Sequence, residues 1–312
     1  MKIVVVGTGA LGSLYAGYLA RCQEDVSAVD IKPEIVSAIR ESGVRIKEAE
    51  GEEVSIPLRA TLQPEEIGRV DLVIFLCKSG QTQEAARSAR CLFGEQTVAL
   101  TLQNGLGNPE TIESVLGKGR VLAGVTNQGS TLLAPGHILH ANRGDAAIGE
   151  LSGGRSERAE KIAAVLKRAG FPTHVSAEIW MEVWGKLLVN VGVNALTAIT
   201  RLRNGVLVEQ AEAREILRGA VAEVTLVAER KGIRLPYTDP AGKVEDACRA
   251  SKLNSSSMLQ DVLNRRQTEV DFINGAVVRE AERLGIETPV NRLLTALVKT
   301  IEKTYGQRAE RK

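Results

Sequence analysis

The first half of the chain alternates short apolar runs with amphipathic stretches. Runs at 3–6, 26–29, 71–77 and 97–102 are rich in valine, isoleucine and leucine, which is typical of strands buried on both faces. Helical periodicity separates them, over 10–21, 33–42 and 81–93. This alternation predicts a parallel sheet covered by helices on both faces, the doubly wound α/β class.

More elements follow in the same half. Residues 44–58 predict a hairpin, because two alternating stretches flank a turn at GEE. A helix over 156–170 and a strand at 173–175 are also predicted. Three further apolar runs are expected to complete the same sheet: 121–126, 137–141 and 146–150.

The pattern changes to helix after residue 177. The predicted helices are 178–200, 209–231, 240–251, 257–285 and 290–305. Breaks between them fall at RNG, GIRLPYTDP, NSSS and GIETP, and no repeat of 20–50 residues is visible. We therefore expect an α/β domain at 1–174 and an all-helical domain at 175–312.

Composition narrows the function classes. Among 312 residues, 40 Lys and Arg balance 38 Asp and Glu, and 3% are aromatic, so the sequence has neither the basic stripe nor the stacking residues of nucleic-acid binders. The stretch 3–20 is uncharged but contains four glycines, which is unlike a membrane span or a signal peptide. We expect a cytoplasmic protein without nucleic-acid or membrane partners.

The cysteines and histidines give no metal pattern. The four cysteines form no CxxC pair, which favours buried thiols in a reducing compartment. His137 and His140 form an HxxH in a predicted strand without a third ligand nearby. No metal is expected.

A glycine-rich turn follows the first predicted strand. It consists of Gly7, Thr8, Gly9, Ala10, Leu11 and Gly12. Its first glycine permits the tight turn, its second lets the backbone approach a pyrophosphate, and its third permits close helix–strand packing. Asp30 ends the second predicted strand, where a carboxylate can bind a ribose 2′-hydroxyl. A Rossmann-type dinucleotide site is therefore predicted, with a purely structural glycine turn as the alternative.

A polar stripe marks the helix predicted at 178–200. Lys186, Asn190 and Asn194 are four residues apart, so each is rotated by only about 40° from the one before. One lysine and two amides among aliphatic residues predict the lining of a polar cavity, where they would bind an anion, a hydroxyl or a carboxylate. The alternative is that Lys186 extends to solvent and the amides cap neighbouring helices.

Four other polar residues are weaker candidates alone. Asn104 and Lys78 follow predicted strands, at the edge where α/β proteins bind ligands, although Asn-Gly is also an ordinary turn. Ser257 with Gln260 also fits a helix capping box, and Glu269 also fits a solvated helix carboxylate.

Together these residues resemble the 2-dehydropantoate 2-reductase (ketopantoate reductase) family. The matching segments are GTGALG at 7–12, CKSGQ at 77–81, LQNGLG at 102–107, WGKLLVNVGVNALTAI at 184–199, RNG at 203–205 and SSMLQDVLNRRQTEVDFING at 256–275. They cover nearly the whole chain, and the two long segments are far more specific than the glycine turn.

The resemblance implies an enzyme that reduces a 2-oxo acid to a 2-hydroxy acid in pantothenate synthesis, with NADPH. By matched position, Lys186 is implied to protonate the ketone oxygen, as a nearby ammonium can do for an alkoxide. The residues implied to hold the substrate are Asn190, Asn194, Asn204 and Ser257. Those implied to contact the cofactor are Lys78, Ser130 in a loop, and Asn104 and Glu269, which would also reach the substrate.

Residues 28–32 offer little positive charge for the 2′-phosphate of NADP. Only Lys32 offers a positive charge to a 2′-phosphate there, and Asp30 would repel it. NADP is thus the cofactor that the resemblance implies, and NAD is the alternative.

Two other functions stay open: an NAD-dependent D-2-hydroxyacid dehydrogenase acting on another 2-oxo acid, and a non-catalytic dinucleotide sensor, which would not need the Lys186 stripe. The expected partner is a small 2-oxo acid, and the chain is expected to be a monomer or a homodimer.

Overall fold

The computed structural model describes residues 1–307, and its N-terminal unit is built on strands. These are β1 (Lys2–Val6), β2 (Asp25–Val29), β3 (Val44–Glu48), β4 (Glu53–Ile56), β5 (Arg59–Thr61), β6 (Val70–Phe75), β7 (Phe93–Thr101), β8 (Val121–Thr126), β9 (Gly129–Ala134), β10 (His137–Asn142), β11 (Ala146–Glu150) and β12 (Thr173–Val175). The helices of this unit are α1 (Ala10–Arg21), α2 (Pro33–Ser42), α3 (Thr82–Ser88), α4 (Asn108–Leu116) and α5 (Glu157–Arg168).

Eight strands form the main sheet, in the order β12-β11-β8-β7-β6-β1-β2-β5. All neighbours are parallel except β8 and β11, so the predicted doubly wound α/β class is confirmed. The carboxyl ends of β1, β2, β6 and β7 therefore lie at one edge of the sheet. This edge positions the glycine-rich turn, Asp30, Lys78 and Gln103.

The strand at 137–141 was expected in the main sheet, and that prediction is wrong. Strand β10 pairs with β3 and β9 in a second sheet of order β4-β3-β10-β9. Ile138 and Ile46 are fully buried there, and a Cβ at Gly17 of α1 would lie 2.9 Å from the Ile46 side chain. The apolar alternation identifies a strand, but it is the same whichever sheet the strand joins. The hairpin at 44–58 is confirmed as β3 and β4.

The alternation of side chains along β1 supplies both layers of the core. Ile3 and Val5 point to one face, where they join a cluster that includes α1, α5 and residues of the second sheet. Val4 and Val6 point to the other face, with Val73 and Phe75 of β6. Burial on both faces explains why these strands are continuous apolar runs.

The second unit is helical and comprises residues from Trp180 onward together with 104–107. Its helices are α6 (Ile179–Thr200), α7 (Val206–Glu209), α8 (Ala211–Arg230), α9 (Pro240–Ala250), α10 (Ser257–Leu263), α11 (Asn274–Arg283) and α12 (Pro289–Lys303). The N-terminal unit ends at Ile179.

One continuous helix was expected over 257–285, and this prediction is wrong. Helix α10 ends at Leu263, and Arg265 adopts a left-handed conformation with φ of 51°. A 3₁₀ turn, Val270–Phe272, then precedes α11. The segment between the two helices contains neither glycine nor proline, so the sequence gives no sign of the break. The break places Glu269 directly before the 3₁₀ turn.

Within the described residues, α6 is the one helix long and apolar enough to cross a membrane. Of its most apolar window, 72% is buried inside the protein, as in a core helix. Gly192 permits this packing, because a Cβ there would lie 2.8 Å from Val244 of α9 and 3.1 Å from Val221 of α8.

Candidate active site

The turn between β1 and α1 requires glycine where backbone segments meet. Gly7 has φ of +89°, and a Cβ there would lie 2.7 Å from the Cβ of Cys77. A Cβ at Gly12 would lie 2.9 Å from the Gly7 carbonyl carbon. At Gly9, by contrast, a Cβ would meet nothing within 4 Å, so the space over the second glycine is open.

The N-terminus of α1 fits an anionic ligand. Its N-cap Gly9 gives no side-chain hydrogen bond, and its first turn has no acidic residue. The N–H groups and the dipole of a helix N-terminus favour a phosphate group. The open cradle over Gly9 and this N-terminus together fit the pyrophosphate of a dinucleotide.

Asp30 is part of the turn's construction. Its Oδ2 accepts hydrogen bonds from the Thr8 N–H at 2.6 Å and the Thr8 hydroxyl at 2.9 Å, and its Oδ1 accepts one from the Lys32 N–H at 3.0 Å. The residue is 8% exposed. A carboxylate has about four acceptor positions, so one position on Oδ1 is left for a ribose hydroxyl. Ile31, the next residue, is 71% exposed.

Lys78 and Ser130 occupy different parts of the N-terminal unit. Lys78 is exposed just beyond β6, next to Cys77, which contacts the glycine-rich turn. Ser130 was expected in a loop, but it lies in β9, opposite His140 of β10. Strand β9 packs against α1, the helix that begins at the turn.

Lys186 and Glu269 come together within the helical unit. Burial lowers the pKa of the Lys186 ammonium to about 8, and the nearby charge of Glu269 opposes that shift. Glu269 is 8% exposed and lies directly before the 3₁₀ turn. An ammonium with this pKa is mostly protonated at neutral pH and gives up its proton more readily than an ordinary lysine.

The amides of the stripe lie on the same helix as Lys186. Asn190 is half-buried and Asn194 is 5% exposed. Thr197, one turn further, donates its hydroxyl to the Val193 carbonyl and lies 2.7 Å from the hydroxyl of Ser256. The polar stripe therefore extends to Thr197, which follows Asn194 by three residues and so falls outside the four-residue spacing of the stripe.

Asn204 is held by the segment that follows α9. Its N–H donates to the Asn254 carbonyl at 3.0 Å, and its Nδ2 donates to the Ser251 hydroxyl at 3.0 Å. Its buried Oδ1 has no hydrogen-bond partner among the described residues, and this orientation leaves the oxygen as an acceptor.

The capping residue of α10 is Ser256, so the alternative interpretation of Ser257 as the cap is wrong. The Ser256 hydroxyl accepts the Leu259 N–H at 3.0 Å. Ser257 is the first residue of the helix and is exposed. Sequence reasoning missed Ser256 and Thr197, although Thr197 follows Asn194 by three positions, on the same helix face.

Across residues 1–307, no group of three or more His, Cys, Asp or Glu residues is arranged to hold a metal ion. His137 lies 3.5 Å from Glu53, and His140 lies between Glu48 and the Gln128 side-chain oxygen. Both histidines thus take part in contacts of the second sheet.

Comparisons with known proteins cover both units. A family profile described as "Ketopantoate reductase PanE/ApbA" matches residues 3–153, and its C-terminal counterpart matches 178–302. A curated 2-dehydropantoate 2-reductase of Halobacterium salinarum is 36% identical over 97% of this chain and 99% of its own.

Two solved structures are similar over nearly the whole chain. The PanE/ApbA family ketopantoate reductase from Ralstonia eutropha JMP134 has a TM-score of 0.91 and 33% identity, and the match covers 98% of this chain and 100% of that one. The ternary structure of a D-mandelate dehydrogenase with NADH and anilino(oxo)acetate has a TM-score of 0.92 and 29% identity, with 99% and 100% covered.

Proposed function

Because the chain belongs to the ketopantoate reductase (PanE/ApbA) family, we propose that it reduces 2-dehydropantoate to (R)-pantoate, a step of pantothenate biosynthesis, with a nicotinamide dinucleotide. The observation that carries the proposal is the pair formed by Lys186 and Glu269, a half-buried lysine whose pKa desolvation lowers and a buried carboxylate whose charge opposes that shift. A non-catalytic dinucleotide sensor has no use for such a pair.

Lys186 is the general acid of this proposal. The reduced nicotinamide supplies a hydride to the ketone carbon when it is bound. The carbonyl oxygen gains the electron pair, and the Lys186 ammonium stabilises the developing negative charge and donates its proton to that oxygen. The 2-hydroxy acid and a neutral lysine result. Glu269 keeps the ammonium protonated before the step, because its negative charge raises the lysine pKa.

The polar residues around this pair orient the substrate. Asn190 and Asn194 continue the face of α6 that carries Lys186, and Asn204 offers its buried Oδ1 as an acceptor for the substrate hydroxyl. Ser257 holds the carboxylate, and Asn104 contacts both substrate and cofactor. Lys78 and Ser130 contact the cofactor from the N-terminal unit.

The cofactor is the finer part of the proposal. NADP is the family default, and we propose that this chain also accepts NADH. Asp30 is fixed beside the turn, and Ile31, where a cation would meet a 2′-phosphate, is apolar and exposed. Only the exposed Lys32 offers a positive charge in this segment, as a point charge without the fork of an arginine. The similar D-mandelate dehydrogenase structure contains NADH.

The test is a panel of 2-oxo acids, 2-dehydropantoate and phenylglyoxylate among them, assayed with NADPH and with NADH. We expect 2-dehydropantoate to give the highest kcat/KM, and a higher value for an aromatic 2-oxo acid would contradict the proposal. The alternative D-2-hydroxyacid dehydrogenase is not favoured, because the curated relatives that match the whole chain are 2-dehydropantoate 2-reductases.

Cofactor choice is tested by Ile31→Arg with Ile31→Gln as its control. Ile31 is exposed, so neither variant opens a cavity. The guanidinium should raise kcat/KM for NADPH by about tenfold, as one charge-assisted hydrogen bond can, and leave NADH unchanged. An equal effect of both variants, or none, would show that position 31 does not face the 2′-phosphate.

The setting of the reaction is also proposed. We place the enzyme in the cytoplasm, since none of its four cysteines forms a disulfide. Its partner is a small 2-oxo acid, and it works as a monomer or a homodimer without nucleic acid or membrane.

A further inference from the structure

The loop 104–107 joins β7 to α4 and is held at both ends by side-chain amides. Gln103 donates its Nε2 to the Cys77 carbonyl and to the Thr82 hydroxyl, both at 2.8 Å. Asn108 accepts the Thr82 hydroxyl at 2.9 Å. The two ends of the loop are therefore fixed to the segment that follows β6 in the N-terminal unit.

The middle of the loop belongs with the helical unit. The Leu106 N–H donates to the Phe272 carbonyl at 2.9 Å, and Leu106 is 8% exposed. The Phe272 N–H in turn donates to the Glu269 carbonyl at 2.9 Å. The loop that contains Asn104 is thus hydrogen-bonded to the turn that follows Glu269.

Gly105 makes this contact possible. Its φ is +85°, and a Cβ there would overlap the carbonyl oxygen of Phe272 and lie 2.8 Å from the carbonyl carbon. Gly107 in the same loop has φ of +92°, but a Cβ there would meet nothing within 4 Å. Both positions disfavour a side chain through their backbone conformation, whereas only Gly105 excludes one by close approach.

We propose that Gly105 is a positioning residue, whose missing side chain lets the loop dock on the Phe272 carbonyl and so fixes Asn104 relative to Glu269. The inference rests on the proposed function, in which both of these residues contact the nicotinamide end of the cofactor and the 2-oxo acid. Asn104, Phe272 and Glu269 all belong to the helical unit.

The size of the effect follows from the overlap. A Cβ at Gly105 must move away from the Phe272 carbonyl by about 1 Å to reach an ordinary contact distance. Because Gln103 and Asn108 fix both ends of the loop, this displacement falls on residues 104–107 and therefore moves Asn104. A displacement of about 1 Å in a positioning group costs roughly 100-fold in rate. The dinucleotide is held mainly by the glycine-rich turn, so its affinity should change little.

The experiment compares Gly105→Ala with Gly107→Ala. Both variants place a Cβ at a left-handed position, so they share the backbone strain and differ in the contact with Phe272. We expect kcat/KM for the 2-oxo acid to be about 100-fold lower in Gly105→Ala than in Gly107→Ala, with an unchanged cofactor Kd. Equal kcat/KM values in the two variants would overturn the proposal.

Amide hydrogen exchange of Leu106 tests the docking without any substrate. Its N–H should exchange slowly in the wild type and in Gly107→Ala, and faster in Gly105→Ala. Fast exchange in the wild type would overturn the docking itself, even if the alanine variant at 105 fails to fold. If no 2-oxo acid is reduced while Leu106 is protected, the proposed function fails and the docking stands.

Discussion

The lowered pKa of Lys186 has a consequence for stability that Lys186→Met isolates. The ammonium has an ordinary pKa of 10.5 and a pKa of about 8 in the folded chain. At about 1.36 kcal/mol for each pKa unit, this difference corresponds to about 3 kcal/mol. Below pH 8 the folded wild type holds a charge that burial disfavours, and it is less stable by that amount than it would be with a neutral side chain.

The sign of the pH dependence follows from proton counting. Between pH 8 and 10.5 the unfolded chain keeps the Lys186 proton and the folded chain has released it, so the wild type becomes more stable as pH rises. Lys186→Met lacks this titration, and all other groups are shared. Between pH 7.5 and 10.5, the free energy of unfolding of the wild type should therefore rise by about 3 kcal/mol relative to that of Lys186→Met.

Urea unfolding at several pH values between 7.5 and 10.5 measures this difference. Asn190→Ala is the matched control on the same helix face; it removes no titrating group, so its difference from the wild type should not change with pH. A constant difference between wild type and Lys186→Met would refute the reasoning, because it would mean that folding leaves the lysine pKa unchanged.

The same pKa governs the reaction rate. Reduction needs the protonated lysine, so kcat/KM should fall as pH rises through about 8, and oxidation of the 2-hydroxy acid should rise over the same range. In Glu269→Gln the charge that raises the lysine pKa is gone, so the midpoint should move to lower pH. A midpoint that stays in place would separate Glu269 from the ionisation of Lys186.

Three further outcomes are expected. Lys186→Ala should lower kcat by ~10²–10⁴-fold while the cofactor Kd, measured by nicotinamide fluorescence, stays unchanged; near-normal turnover would remove this residue from the mechanism. Asn194→Ala should weaken substrate binding by about 1–3 kcal/mol, seen as a raised KM, and unchanged kinetics would make the amide structural. Glu245→Ala should lower the free energy of unfolding by about 2–3 kcal/mol, because Arg214 and Arg218 lose the carboxylate whose pKa they lower to about 2, and Arg249 loses an ion-pair partner. The exposed Asp246→Ala is the control, with an effect below about 1 kcal/mol, and equal losses would contradict this.

Local sequence patterns predict most elements, because burial on one face or on two leaves a distinct periodicity. The strands β1, β2, β6 and β7 are continuous apolar runs for this reason, and α6 is placed within one residue of its observed start. The patterns predict neither β5, which has only three residues, nor β9, which is only partly buried. The partners of β10 are not encoded locally either, because its apolar alternation would be the same in either sheet.

The candidate site divides in the same way. The glycine-rich turn and the stripe on α6 are visible in sequence because each lies on one element. The proximity of Lys186 to Glu269 is not visible in sequence, because the two residues lie on separate elements. Glu269 also follows a break in a predicted helix that no glycine or proline marks. The hydrogen bond between the Leu106 N–H and the Phe272 carbonyl involves only backbone atoms, so the sequence cannot predict it. Its one sequence feature is the glycine at position 105.

The stripe on α6 also bears on how the chain is sorted in the cell. Without its polar face this helix would be a good substrate for the insertion machinery, since its length and hydropathy already approach those of a span. A lysine near the centre of an inserted helix costs about 2.5–3.5 kcal/mol, and Asn190 and Asn194 add to that penalty. We therefore expect that replacing Lys186, Asn190 and Asn194 with leucine diverts part of the protein to the membrane fraction, measured by fractionation.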